Sequence, residues 1–396
     1  MENSHLSNTR FTSLNIDTSI IKGLKNLNFE FCTPIQSESL PIALDGNDVA
    51  GQAQTGTGKT AAFLIAAIER VLKSHKTNER KKQPKIFILA PTRELAIQIA
   101  KDAEEIGKYT KLKIGLAFGG TDYEKQSSKI TKGIDILIGT PGRVIDYYKN
   151  KIFSLNKVEV LVLDEADRMF DLGFIRDIRY LLRRLPKPEK RLSMLFSATL
   201  SHRVMELAYE HMNNPELIKI DADKITADKI RQAIFFPANQ EKIPLLVGLI
   251  KEMKNNKIMV FANTKKEVER LDNYLNNNEI NAKGISGDVP QNKRIRMLDH
   301  FEKGKLNVLI ATDVASRGLH IPDIKCIINY DLPQDPEDYV HRIGRTARAG
   351  TKGNAISFGC ETYAMSLPDI ENYIKMKVPV ANYKPESLPD VNHPGK

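Results

Sequence analysis

Apolar residues along the chain gather into short unbroken runs, separated by longer stretches in which they recur every third or fourth position. In the first half the runs are Val49–Gln52, Ile86–Ala90, Ile114–Phe118, Ile134–Gly139, Val158–Leu163 and Met194–Phe196. In the second half they are Ile258–Ala262, Val308–Ala311, Cys326–Asn329 and Ala355–Phe358. Continuous apolar runs of this length predict parallel strands covered on both faces. Lys59–Leu72, Glu94–Ile106 and Lys265–Asn276 carry the helical period between them. Strand-like and helical segments in alternation predict βαβ units, and so an α/β fold with mainly parallel sheets flanked by helices.

The pattern breaks once, at Asp221–Lys229 (DADKITADK), which is charged and has no apolar period. It predicts a flexible linker, 221–229, between a first domain of residues 1–220 and a second of 230–375, each long enough for its own core. Residues 376–396 hold four prolines and predict an extended tail. Lys73–Lys85 (KSHKTNERKKQPK) reads as a solvated basic loop between a helix and a strand.

Composition narrows the picture. No apolar run approaches the ~18–20 residues of a membrane span, and the polar start MENSHLSNTRF is no secretory signal. Cys32, Cys326 and Cys360 lie far apart, which argues against a disulfide framework or a zinc site and predicts a cytoplasmic protein without a membrane partner. Fifty-nine Lys and Arg against 49 Asp and Glu give a net charge of +10, which favours a polyanionic partner.

The strongest local chemistry is Ala53-Gln54-Thr55-Gly56-Thr57-Gly58-Lys59-Thr60, between a strand-like run and a helix. Gly56 and Gly58 let backbone amides turn toward phosphate oxygens, and the helix N-terminus adds partial positive charge. Lys59 supplies a cation for the β- and γ-phosphates and Thr60 a hydroxyl for Mg²⁺. The strict phosphate-loop pattern has glycine where Ala53 stands. Asp164-Glu165-Ala166-Asp167 follows a buried run, and we assign Asp164 to the metal and Glu165 to the attacking water. In His341-Arg342-Ile343-Gly344-Arg345-Thr346-Ala347-Arg348, Arg345 and Arg348 are three apart and would share a face. From the second domain they would act as arginine fingers on a γ-phosphate across a cleft.

Further motifs stand in order around these: Phe29 before Thr33-Pro34-Ile35-Gln36, then Pro91-Thr92-Arg93-Glu94-Leu95-Ala96, Gly119-Gly120 and Thr140-Pro141-Gly142-Arg143. Ser197-Ala198-Thr199, Val260-Phe261-Ala262-Asn263-Thr264, Gln291-x-x-Arg294 and Ala311-Thr312-Asp313-x-x-x-Arg317-Gly318 complete the set. The constellation resembles the DEAD-box family of RNA-dependent ATPases over about Phe11 to Phe358. The resemblance implies two tandem RecA-like domains that bind ATP, Mg²⁺ and RNA and hydrolyse ATP to ADP and phosphate. Thr60 and Asp164 would hold the metal. Phe29 would stack on adenine, Gln36 would read its edge, Phe11 matches an upstream aromatic of the nucleotide site, and Asp313 would meet the ribose. Ser197 and Thr199 would couple ATP to strand separation. RNA phosphates would lie on Arg93, Gly120, Thr140, Gly142 and Arg143 in the first domain, and on Gly287, Asp288, Arg294 and Thr312 in the second.

The segments FCTPIQ, LDEADRMFDLGFIRDIR, MLFSATLSHRV and RGLHIP, with His320, resemble most a bacterial branch of the family that works in RNA degradation. That implies an RNase E-type endonuclease as a partner, docking mainly on the second domain. Ala347 departs from the family, which has glycine there. The expected activity is local unwinding of short RNA duplexes with little sequence preference. An ATP-gated RNA clamp uses the same residues and stays open as the alternative. A guanine switch is disfavoured because no Asn-Lys-x-Asp segment is present.

Overall fold

Alternate residues of Ile86–Leu89 and Val160–Asp164 feed opposite cores: Ile86, Ile88, Val160 and Val162 pack on one face, Phe87, Leu89, Leu161 and Leu163 on the other. A strand buried on both sides has no use for polar alternation, which is why its sequence is an unbroken apolar run. The computed structural model describes residues 6–54, 56–74, 83–120, 122–220, 230–253, 256–316, 321, 324–347 and 352–394. The chain divides into two compact units, Met1–Asp221 and Ala222–Lys396. The linker 221–229, most of the basic loop, Thr55, Arg317, His320 and Arg348 lie outside the described residues.

The first unit is built on β1 (Val49–Gln52), β2 (Ile86–Leu89), β3 (Ile114–Ala117), β4 (Ile136–Gly139), β5 (Val160–Asp164), β6 (Leu192–Ser197) and β7 (Glu216–Lys219). Their order is β3-β4-β2-β5-β6-β1-β7, with every neighbouring pair parallel. The second unit holds β8 (Ile230–Phe235), β9 (Ile258–Phe261), β10 (Ala282–Ile285), β11 (Val308–Ala311), β12 (Cys326–Asn329) and β13 (Gly353–Phe358). Their order is β10-β11-β9-β12-β13-β8, again parallel throughout. Helices Lys59–Ser74, Arg93–Ile106 and Lys265–Asn277 form within two residues of their expected ends.

Three strands escape the apolar-run criterion: β7, β8 and β10. All three are sheet edges. β7 buries only Ile218 of its four residues, and β8 alternates buried with more exposed positions. An edge strand needs fewer apolar residues, so its sequence carries a weaker signal.

The tail beyond residue 375 is extended, and it is also packed. Ile234 donates its N–H to Pro379 O at 2.9 Å and accepts from Ala381 N at 2.8 Å. Tyr383, Leu388 and Val391 lean on the core of the second unit, and Asn392 N donates to Asn278 Oδ1 at 2.9 Å. Among the described residues no helix is long and apolar enough to cross a membrane.

Candidate active site

Parallel sheets gather loop residues along their carboxyl edge. In the first unit β5, β6 and β1 are neighbours, and their registers set Gln52 beside Ser197 and Asp164 beside Phe196. The phosphate loop after β1, the carboxylates ending β5 and Ser197 therefore emerge side by side. Ser197 ties them together: its carbonyl accepts from Ala53 N at 3.0 Å and its Oγ from Asp167 N at 3.2 Å. This is a physical basis for the coupling role expected of Ser197; Thr199 lies half-buried in the loop beyond it.

The loop has the shape a phosphate chain needs. Gly56 and Gly58 have φ of +87° and +94°, and a Cβ at Gly58 would stand 2.5 Å from Gln36 Nε2. Gln36 is buried; it accepts from Thr33 N at 2.8 Å and donates to Gly58 O at 3.0 Å. The amide expected to read adenine is thus fixed by its own helix start and by the phosphate loop. Thr57 Oγ1 donates to Gln54 O at 2.8 Å, and Lys59 Nζ, which is buried, donates to Ala53 O at 2.7 Å. Thr60 follows on the first turn of helix Lys59–Ser74.

Asp164 is 2 % exposed, and burial pushes its carboxyl up to about 7, with Lys59 opposing the rise and Glu165 adding to it. Glu165 sits at φ 51°, ψ 53°, a left-handed conformation that costs a non-glycine residue about 1–2 kcal/mol. Its Oε2 is buried without a hydrogen-bond partner. A strained carboxylate with an unsatisfied oxygen suits a group that binds a ligand or water. The donor set also fits Mg²⁺, which takes one or two protein oxygens and completes its shell with phosphates and water.

Phe29 is 42 % exposed and open to stacking, whereas Phe11 is 2 % exposed and lies in the core. Phe11 packs in the core beneath the segment that carries Phe29. Its N–H donates to Glu30 O at 3.1 Å and secures the segment that carries Phe29.

The other half of the same edge carries the expected RNA residues. Arg93 opens the helix after β2, Gly120 follows β3, and Thr140, Gly142 and Arg143 follow β4. Gly120 has φ +82°, and a Cβ there would collide with the Arg93 guanidinium. A Cβ at Gly142 would meet nothing within 4 Å, so internal packing does not demand that glycine.

In the second unit Thr312 and Asp313 follow β11 and Gly287 and Asp288 follow β10. The Thr312 hydroxyl accepts from Ala315 N at 3.3 Å, while Arg294 Nη2 donates to Ala315 O. Lys265 Nζ binds both oxygens of Asp288, at 2.8 and 2.9 Å, so the cation nearest that corner is Lys265, which the motif reading missed. Arg342 was also passed over. It donates to both Asp313 oxygens, to Asn263 Oδ1 and to Asp331 O. Asp331 in turn accepts from buried Lys242 at 2.6 Å. Arg345 is buried and stands in the turn after helix Pro336–Ile343 rather than on it.

Residues 33–207 match the DEAD/DEAH box helicase model and residues 241–350 the helicase conserved C-terminal domain. The chain is 54 % identical over 391 residues to the ATP-dependent RNA helicase RhlB of Psychromonas ingrahamii, covering 98 % of this chain and 94 % of that one. The chain belongs to the DEAD/DEAH box helicases. The RhlB of Actinobacillus succinogenes is 55 % identical over 388 residues, with coverage of 98 % and 94 %. Among solved structures, this helicase resembles S. cerevisiae Dbp5 bound to RNA and ADP BeF3, at 32 % identity and a TM-score of 0.84 over 94 % of this chain and 95 % of that one. It also resembles Mss116 bound to ssRNA and UDP-BeF, at 29 % identity and a TM-score of 0.86, covering 96 % and 82 %. The two sheets are thus RecA-like folds in tandem.

Proposed function

We propose that this helicase hydrolyses ATP to ADP and phosphate when RNA is bound and uses the cycle to open short RNA duplexes. The buried, unpartnered Oε2 of Glu165, beside Asp164 and the phosphate loop, carries the reading. Phe29 and Gln36 select adenine. Lys59 and the amides around Gly56 and Gly58 hold the phosphates. Thr60 and Asp164 would hold Mg²⁺, which would supply neutralisation of phosphate charge. Glu165 orients the attacking water and accepts its proton. Arg345 and Arg348 supply guanidinium groups to the charge that develops on the transferred phosphoryl group.

RNA phosphates contact Arg93, Gly120, Thr140, Gly142 and Arg143 in the first unit, and Arg294, Thr312 and the Gly287–Asp288 corner in the second. Phosphate contacts carry no base information, so binding is insensitive to sequence. The likeness to ATP-dependent RNA helicases of the RhlB type supports an RNA substrate; work in bacterial RNA turnover in the cytoplasm, with an RNase E-type endonuclease as a partner of the second unit, is the finer part of the proposal. The test pairs two assays on the full chain: release of a labelled strand from a short RNA duplex with ATP, and the lifetime of bound single-stranded RNA. ATP-dependent release supports the helicase. A long ATP-gated lifetime without release would make the protein a clamp.

A further inference from the structure

Arg143 sits against a pair of aromatic rings that touch each other. Its guanidinium carbon is 5.3 Å from the centroid of Tyr123 and 5.3 Å from that of Tyr147. The rings meet edge-on, 4.8 Å apart and at 80°. Arg143 Nη1 donates to the Tyr147 hydroxyl at 3.2 Å, and that hydroxyl donates onward to Tyr123 O at 2.9 Å. Asn150 Nδ2 donates to the Tyr123 hydroxyl at 3.0 Å and to Asp146 Oδ1 at 3.1 Å. Tyr147 is fully buried, so the clamp has a rigid floor.

Stacking on a ring face holds a guanidinium without using its N–H donors. Only Nη1 is committed to a hydrogen bond. Asp146 stands 3.9 Å from Nε, beyond hydrogen-bond reach, and Nη2 has no partner among the described residues. The charge is therefore oriented and still able to donate. An arginine free in water loses up to about 2 kcal/mol of rotamer entropy on ordering, and a clamp imposes that order before the ligand arrives.

We infer that Tyr123 and Tyr147 are positioning residues that pre-orient Arg143 toward an RNA phosphate. The inference rests on the RNA role proposed for Arg143 and names what makes it effective. Tyr123 opens helix Tyr123–Thr131, three residues beyond Gly120, so the clamp ties the start of that helix to helix Pro141–Lys149 after β4.

The test measures ATP hydrolysis by the full chain against the concentration of polyuridylate RNA. Arg143→Ala should raise the half-saturating RNA concentration about 10-fold, the scale of one charge-assisted contact. Tyr123→Leu should raise it about 3- to 10-fold with kcat at saturating RNA retained. Tyr123→Phe, which keeps the ring, should stay within about 2-fold of wild type. The double variant Tyr123→Leu with Arg143→Ala should be no worse than Arg143→Ala alone, because both remove one contact. Tyr147→Phe removes the hydroxyl that fixes Nη1, and provides a second route should Tyr123→Leu fail to fold. It too should raise the half-saturating RNA concentration and be silent in the Arg143→Ala background. Multiplying effects in a double variant, or single tyrosine variants equal to wild type beside an impaired Arg143→Ala, would overturn the positioning role alone. An inert Arg143→Ala would overturn the RNA role of Arg143 and the positioning role with it.

Discussion

Arg342 holds both carboxylate oxygens of Asp313, Nε on Oδ1 and Nη2 on Oδ2, each at 2.6 Å, and the arginine itself is 1 % exposed. The pair joins the loop after β11 to helix Pro336–Ile343, the helix that leads to Arg345. It occupies one lone pair on each Asp313 oxygen, so any further donor to that carboxylate must use those that remain. Removing the arginine leaves the Asp313 carboxylate and the Asp331 carbonyl without their donor. Arg342→Ala should therefore lower stability by about 3–5 kcal/mol, the usual cost of breaking a buried pair. Urea unfolding checks this, and a loss under about 1 kcal/mol would show the pair to be energetically slack.

Asp164 gives stability an unusual pH dependence. Its folded-state carboxyl is raised from 3.8 to about 7, so between those values the folded protein holds a proton that the unfolded chain has released. By linkage, its contribution falls as pH rises from about 4 to about 7 and is flat above. Asp164→Asn should remove this slope, so that the variant gains on wild type in nucleotide-free unfolding at pH 8 more than at pH 5. Equal differences at the two pH values would contradict the burial argument.

Glu165→Gln keeps the shape of the side chain and removes its ability to accept a proton. Turnover should fall about 10²–10⁴-fold while ATP and RNA binding persist. The ATP-bound RNA complex should then outlive that of wild type, as measured by RNA dissociation with a competitor chase. Dissociation at the wild-type rate would take the water-activating role away from Glu165.

Ala347, where the family has glycine, has φ +55°. The left-handed region costs alanine about 1–2 kcal/mol, and glycine gives back about 0.4–1 kcal/mol through the freedom of the unfolded chain. Ala347→Gly should thus be neutral to about 1 kcal/mol stabilising in thermal unfolding. A clear loss of stability would mean that the methyl group packs better than its backbone suggests.

Much of this was legible in the sequence, for physical reasons that differ by element. The central strands, buried on both faces, announce themselves as unbroken apolar runs, and the phosphate loop carries its chemistry in contiguous residues. Edge strands β7, β8 and β10 do not, because one face or end of each is open. The roles of Arg342, Lys242 and Asn263 were not legible because they arise where three distant segments meet around Asp331 and Asp313. The burial of Phe11 was not legible, because an aromatic in a motif reads the same whether it faces solvent or the core. Tyr123 and Tyr147 gave no signal at all: only their spacing around Arg143 makes them a clamp.

The account stands on ATP turnover that waits for RNA. The most direct test is steady-state ATP hydrolysis by the full chain in three parallel reactions: no nucleic acid, single-stranded RNA, and DNA of the same length and sequence. The account predicts a low basal rate, at least about 10-fold stimulation by RNA and little by DNA, well inside the roughly 10³–10⁵ in rate that completing a phosphoryl-transfer site contributes in related enzymes. A rate that is the same in all three, or one raised equally by DNA, would contradict it.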